Sequence, residues 1–440
     1  MGQTRQAIHP RWLVPVHPEG QVLEGRAVIV SDGRIEAVLV AGEAEQRFAD
    51  AERIDLPDHV LIPGLVNAHT HNAMSLMRGL ADDLPLRTWL QDHVWPAEQR
   101  WVGVEFVRTG TELAIAEMLR GGTTCFNDNY FFPDVTAGVA IRAGMRAVIG
   151  LPVISVPTAW AQTEEEYFSR GLGVHQDLVG ERLISTAFAP HAPYTVSDEA
   201  FVRMRDLAEE MEVPIHLHLL ETAGEIDASL EAHGKSPLDR IESLGLLGPR
   251  LLAVHMTQLD NDDIRRVARA GAHVLHCPAS NLKLASGICP IAELDAAGVN
   301  IAIGTDGAAS NNTLDMFAET RLAALLAKGA SGNPEAVPSA RALSMATING
   351  ARALGLDGEI GTIEVGKSAD LTAVALDHLG SLPVHNVISH LVYAVGRDQV
   401  SDVWVGGRRV LRQRQLETLD VEHIYRAARG WVDRLARSAD

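Results

Sequence analysis

Eight short apolar runs, most of them followed by a helical stretch, set the tightest limit on what this chain can fold into. They lie at 60–66 (VLIPGLV), 123–128 (TTCFND), 146–153 (RAVIGLPV), 184–190 (ISTAFAP), 214–219 (PIHLHL), 251–256 (LLAVHM), 273–278 (HVLHCP) and 300–306 (NIAIGTD). The stretch at 104–122 is apolar on one face and closes on Gly121-Gly122, a helix C-cap signal. A second helical pattern covers 198–213. Alternating β and α units indicate a parallel sheet. Eight of them over about 250 residues match an α/β (β/α)8 TIM barrel. The competing architecture, a doubly wound open sheet, rarely carries eight regular units, and the chain lacks its GxGxxG turn.

Two β-rich pairs flank these units. One covers 26–40 around Asp32-Gly33 and the other 400–413 around Gly406-Gly407, both hairpin signals. Neither hairpin is stable alone, so the two are expected to meet in one small β-sandwich domain built from both termini. The predicted division is 1–60 with 362–440 for that composite domain, including a final amphipathic helix at 421–440, and 61–361 for the barrel.

Charge narrows the function. With 38 basic and 57 acidic residues among 440, the net charge is −19. A general nucleic-acid binder needs a basic face, and an anionic membrane would repel this chain, so neither partner is expected. Cys125, Cys277 and Cys289 are odd in number and widely spaced, which speaks against a disulfide framework or a cysteine-rich zinc site. No apolar run reaches the length of a membrane span, and the first residues lack a secretory h-region. The expected location is the cytoplasm.

A barrel of this kind carries its active site at the C-terminal ends of the strands, and there the sequence places imidazoles and carboxylates. The first run is followed by Asn67-Ala68-His69-Thr70-His71, the fourth by His191, and the fifth contains His216 and His218 with Glu221 just beyond. The sixth ends near His255, the seventh near His276 and the eighth at Asp306. His69 and His71, two apart on an extended segment, point to one face. With His218 and Asp306 they make three imidazoles and a carboxylate, a set suited to one Zn2+, with Fe2+ or Mn2+ as alternatives. Such a cation acidifies a water in its open position. His216 could compete as a ligand, and His276 could support one from behind. Any one of these histidines alone would more often be a structural residue; it is their conjunction that points to metal. Glu221 is placed to shuttle protons and His255 to hold and help deprotonate the water.

Over essentially its whole length the sequence resembles the amidohydrolase superfamily and, within it, the 5-methylthioadenosine/S-adenosylhomocysteine deaminases. The resemblance is carried by 63–98 (PGLVNAHTHNAMSLMRGLADDLPLRTWLQDHVWPAE), 216–222 (HLHLLET), 276–287 (HCPASNLKLASG), 304–316 (GTDGAASNNTLDM) and 361–371 (GTIEVGKSADL). It implies zinc or iron on His69, His71, His218 and Asp306, Glu221 as proton shuttle, and His255 and Asp306 beside the nucleophile. It also implies that Trp89 and Glu98 touch a nucleoside, with Glu98 on the ribose hydroxyls, and that His191 contacts substrate. The expected reaction is hydrolytic deamination of 5′-methylthioadenosine, with S-adenosylhomocysteine and adenosine as further candidates, by a homo-oligomer.

One feature departs from the family pattern. Members that take S-adenosylhomocysteine resemble one another in an arginine near the end of the third strand. Here that stretch is Gly150-Leu151-Pro152-Val153, while Arg142 and Arg146 lie at the opposite end. A free carboxylate would lack its bidentate partner, so the neutral thioether is expected to be preferred. Rival readings are a triazine or N-alkyl-ammeline hydrolase, a guanine or cytosine deaminase, and a non-catalytic metal-binding protein. A binuclear hydrolase of cyclic amides would need a lysine near the end of the fourth strand, where the chain has Pro190-His191.

Overall fold

The computed structural model describes residues 5–436. Eight parallel strands follow one another in chain order: Leu65–Thr70, Thr123–Asp128, Arg146–Val153, Ile184–Pro190, Ile215–Leu219, Leu251–His255, His273–His276 and Asn300–Ile303. The first and last are joined less by a backbone ladder than by side chains. Asn67 Oδ1 accepts from the Thr305 N–H at 2.9 Å, Asn67 Nδ2 donates to Thr305 Oγ1 at 2.8 Å, and the Asp306 N–H reaches the His69 carbonyl at 3.0 Å. The interior is packed rather than hollow: Val66, Cys125, Val148, Ala187, Leu252 and Leu275 from six strands share one apolar cluster. All three cysteines are buried and unpaired.

Both termini contribute to a second sheet of nine strands. Its path runs Gln415–Leu416, Arg408–Arg412, Val400–Val405, Leu371–Ala375, Glu52–Pro63, Gln6–Leu13, Arg26–Ser31, Arg34–Val40, with Leu23–Glu24 paired onto Gln6–Leu13. The N- and C-terminal halves join where Leu371–Ala375 runs antiparallel to Glu52–Pro63. Ile8, Val30, Leu61, Leu371 and Trp404 from both halves bury one common core. The two expected hairpins meet at their turns. Asp32 and Gly33 have φ of 49° and 82°, and Gly406 and Gly407 have 55° and 75°, the left-handed pair of a type I′ turn. The turns press together so closely that a Cβ on Gly407 would lie 2.6 Å from the Gly33 Cα.

Two boundaries that matter for the fold differ from the sequence-based expectation. The run 60–66 belongs to two elements: 60–63 end the long strand of the terminal sheet, and the barrel begins at Leu65. The chain passes from one sheet to the other at Gly64, where a Cβ would sit 2.0 Å from Thr124 Oγ1. Gly64→Ala is therefore expected to destabilise the protein by at least the roughly 1–3 kcal/mol typical of overpacking, read from the denaturant midpoint; an unchanged midpoint would contradict the tight crossing. The eighth strand ends at Ile303, so Asp306 lies in the turn beyond it. The final helix is described over Val421–Ala436, and the last four residues of the expected span lie outside the described residues. Among the described residues no helix is long and apolar enough to cross a membrane.

Candidate active site

The expected site residues converge at the C-terminal rim. His69 and His71 follow one another on the first strand and the turn after it. His71 Nδ1 donates to the Asn129 carbonyl at 2.6 Å, and His218 Nδ1 donates to the His191 carbonyl at 2.5 Å. A carbonyl can only accept, so in their neutral forms both rings present an unprotonated Nε2 to the centre. These two lone-pair nitrogens stand 3.3 Å apart, and His218 Nε2 lies 3.2 Å from His69 Nε2. Asp306 Oδ1 is 3.2 Å from both His69 Nε2 and His71 Nε2. Zinc bonds of about 2.0–2.1 Å at tetrahedral angles place donors about 3.3–3.4 Å apart. Each of these pairs has the spacing of two donors around one divalent cation. Two residue groups able to hold a metal fall here among those described, His69 with His71 and Asp306, and His69 with His218 and His255, and they share His69.

The electrostatics of the cluster call for positive charge at its centre. Burial depresses the His69 imidazole to about 4, with Asp306 opposing. Burial pulls on His71 too, but Asp306 and the Asn129 carbonyl overcome it and raise that ring to about 9. The two neighbours of one carboxylate thus move in opposite directions. Burial alone would raise Asp306; His69 and His71 outweigh it and hold the carboxyl well below the usual carboxylate range.

The strand ends are bent to deliver these groups. Leu220, His255 and Asp306 have φ of 52°, 74° and 62°, a left-handed conformation costing about 1–3 kcal/mol at each non-glycine residue. Asp306 is fixed by the Gly307 N–H on Oδ1 at 2.7 Å and by Ser280 and Ser310 hydroxyls on Oδ2 at 2.6 and 3.0 Å. Glu221 lies beside His255, Oε2 to Nε2 3.7 Å, and accepts from Ser286 Oγ at 3.4 Å. Burial pushes the Glu221 carboxyl up, against the pull of His255. A carboxyl that holds its proton more firmly is suited to acid–base work near neutrality.

Above this floor opens a cavity of about 720 Å³, within the range of small-molecule sites, lined by Trp89, Glu98, His191 and Glu221 among others. Trp89 sits in a π-helical turn, Trp89–Val94, between two α-helical pieces, and Glu98 in the second of these, Trp95–Trp101. Such turns often occur at functional sites. Glu98 accepts from the Tyr130 hydroxyl at 2.7 Å. His191 follows the fourth strand and faces the His218 ring, centroids 5.1 Å apart. Among the described residues, neither lysine nor arginine lines the cavity. Arg146 instead pairs with buried Asp370 at 2.8 Å, and Arg142 reaches Glu112 at 3.5 Å.

The description "Amidohydrolase family" matches residues 60–410. The 5-methylthioadenosine/S-adenosylhomocysteine deaminase of Saccharophagus degradans is 49% identical over 424 residues, 96% of this chain and 95% of that protein. This chain belongs to the amidohydrolase family. A zinc-bound crystal structure of an adenosine deaminase from Xanthomonas campestris superposes on this amidohydrolase with a TM-score of 0.97, at 53% identity and 99% coverage of both chains. The 5'-deoxyadenosine deaminase of Methanothermobacter thermautotrophicus is 41% identical, over 91% of this chain and 93% of that protein.

Two histidines of this amidohydrolase stand apart from the cluster. His216 lies behind it, with Nε2 2.7 Å from His69 Nδ1 and Nδ1 3.2 Å from the Asn127 side-chain amide. His276 is buried with no hydrogen-bond partner on either ring nitrogen among the described residues, so it supports no ligand directly. Several residues the strand-end argument did not reach complete the site. Asp128 ends the second strand and accepts from Thr70 Oγ1 at 3.1 Å and the Asn72 N–H at 2.7 Å, pinning the turn around His71. Its carboxylate closes an apolar run and could have been read as a seventh rim group. Asn281 Oδ1 lies 2.8 Å from His255 Nδ1. It and Ser280 fall in the 276–287 segment, but nothing local marks them.

Proposed function

We propose that this amidohydrolase hydrolyses the C6–amino bond of adenine nucleosides, taking up water and releasing ammonia and the inosine analogue. The observation that carries the reading is one pocket that joins the His–Asp cluster, Glu221 and His255 at its floor to Trp89 and Glu98 on its wall. The related proteins that deaminate adenosine or methylthioadenosine by name support it. His69, His71, His218 and Asp306 would hold the cation, zinc in the first place. When bound, it supplies a Lewis acid and a water acidified toward neutrality.

The chain's own groups do the rest. Asp306 and His255 flank the attacking water and take up the proton it loses. Glu221 delivers a proton to N1, which makes C6 electrophilic; it then takes the proton of the hydroxyl added at C6 and passes it to the departing amino group, and the proton first taken from water returns to Glu221. His191 contacts the base, Trp89 covers it, and Glu98 accepts hydrogen bonds from the ribose hydroxyls. The apolar end of the cavity, with Pro152, Ile154 and Val156, receives the 5′ substituent.

Among the described residues, that end offers a carboxylate no cationic partner, while Glu98, Glu221 and Asp306 line the same pocket. We therefore expect kcat/KM for 5′-methylthioadenosine to exceed that for S-adenosylhomocysteine by roughly tenfold or more, the scale of one missing charged hydrogen bond. An ultraviolet assay following loss of the adenine chromophore tests both claims. A higher kcat/KM for S-adenosylhomocysteine would overturn the substrate order, and no turnover of any adenine nucleoside would overturn the reaction.

A further inference from the structure

The C-terminal helix is far from the metal cluster in sequence but not from the nucleoside wall. Val421–Ala436 starts at Asp420, whose carboxylate accepts from the His423 N–H at 3.0 Å, an N-cap. Its buried residues Ile424, Trp431 and Leu435 recur at i, i+7 and i+11, one helical stripe. The Trp431 ring meets Phe106 edge to face at a centroid distance of 5.2 Å and Trp101 in the same manner at 6.1 Å. Trp101 ends the helix that carries Glu98. Trp431 and Leu435 belong to the same apolar cluster as Trp89, Ala97 and Tyr130, and Tyr130 is the residue that binds Glu98.

The segment 86–101 needs such a support. A π-helical turn interrupts it, and Trp95 remains 39% exposed. Its orientation therefore depends on what packs behind it, and there Trp431, beside Phe106 and Tyr130, is the large side chain contributed by the C-terminal helix. We propose that the C-terminal helix, through Trp431, positions the Trp89–Glu98 face for the ribose. Trp431 is a positioning residue: it touches no reacting atom and acts through Trp101 and Phe106 on Glu98. The inference rests on the proposed ribose contact of Glu98.

The test compares Trp431→Ala, Trp431→Phe and Glu98→Gln on adenosine and on 2′,3′-dideoxyadenosine. Trp431→Ala is expected to raise KM for adenosine roughly tenfold with kcat unchanged, the pattern of lost uniform binding. The rise should vanish on the dideoxy substrate, and Trp431→Phe should restore most of the affinity. Amide hydrogen exchange over 86–101 should quicken in Trp431→Ala. Where that variant does not fold, Trp431→Leu keeps the apolar volume and loses the edge-to-face contact. A fall in kcat at constant KM, or an equal rise in KM on both substrates, would overturn the proposal. If Glu98→Gln itself leaves KM for adenosine unchanged while Trp431→Ala raises it, the ribose role of Glu98 has failed instead.

Discussion

Replacing Glu221 by glutamine is expected to remove most of the turnover and to leave metal content at the parental level. The position is fixed without its charge: the Glu221 N–H donates to Glu225 Oε2 at 2.9 Å and its carbonyl accepts from Thr257 Oγ1 at 2.7 Å. Glutamine has the same shape and can keep the Ser286 contact, so fold and metal content should match the parent. What it lacks is a proton that can leave and return. The proposed reaction needs that proton at N1 and again at the amino group, so the change reaches both halves of the chemistry. A fall in kcat of about 10²–10⁴ is expected, the range ascribed to one positioned acid–base group. The assay is steady-state deamination beside elemental analysis of the purified variant. Near-parental kcat would remove Glu221 from the mechanism, whereas a lost cation would make it a structural member of the centre.

Removal of the cation is expected to abolish turnover and lower the melting temperature together. His71 and His218 turn their Nε2 atoms toward one another across 3.3 Å, beside a buried carboxylate. A divalent ion would displace any proton held there and bond to these groups together. For a cation present at a thousandfold excess over its Kd, linkage gives about 4 kcal/mol of stabilisation. With the usual unfolding entropy per residue, a 440-residue chain should then melt about 4–5 °C lower after chelation. Differential scanning with and without chelator, followed by zinc add-back, measures this. Full turnover by protein shown to be free of metal would refute the cation's role. Recovery with manganese or iron but not zinc would reassign the metal and leave the ligand set intact.

Much of this architecture was legible because β and α units alternate regularly and because a barrel gathers its strand ends on one rim. His69, His71, His218, Glu221, His255 and Asp306 could be picked out by position alone. The misread boundary at 60–66 has a simple cause: one apolar run serves two sheets, and periodicity cannot see a change of partner at Gly64. Ser280 and Ser310 were invisible for another reason. A loop serine is ordinary anywhere, and its meaning here depends on Asp306, 26 residues from Ser280 in the chain. Trp431 is harder still, since its partners Phe106 and Trp101 lie more than three hundred residues earlier. Glu98 and Trp89 were reached through family likeness, because a helix with a π-helical turn has no distinct hydrophobic period.

The seam of the barrel bears on how the protein matures. Asn67 and Thr305, which stitch the first strand to the last, are separated by 238 residues, and the carboxylate beside the three imidazoles lies just past that stitch. A chain growing from its N-terminus exposes His69 and His71 early, His218 later and Asp306 only when about two thirds of synthesis is done. Until then the ring of strands is open, and the second sheet still waits for its four C-terminal strands. The three imidazoles on a nascent chain are thus an incomplete ligand set until the last third of synthesis begins.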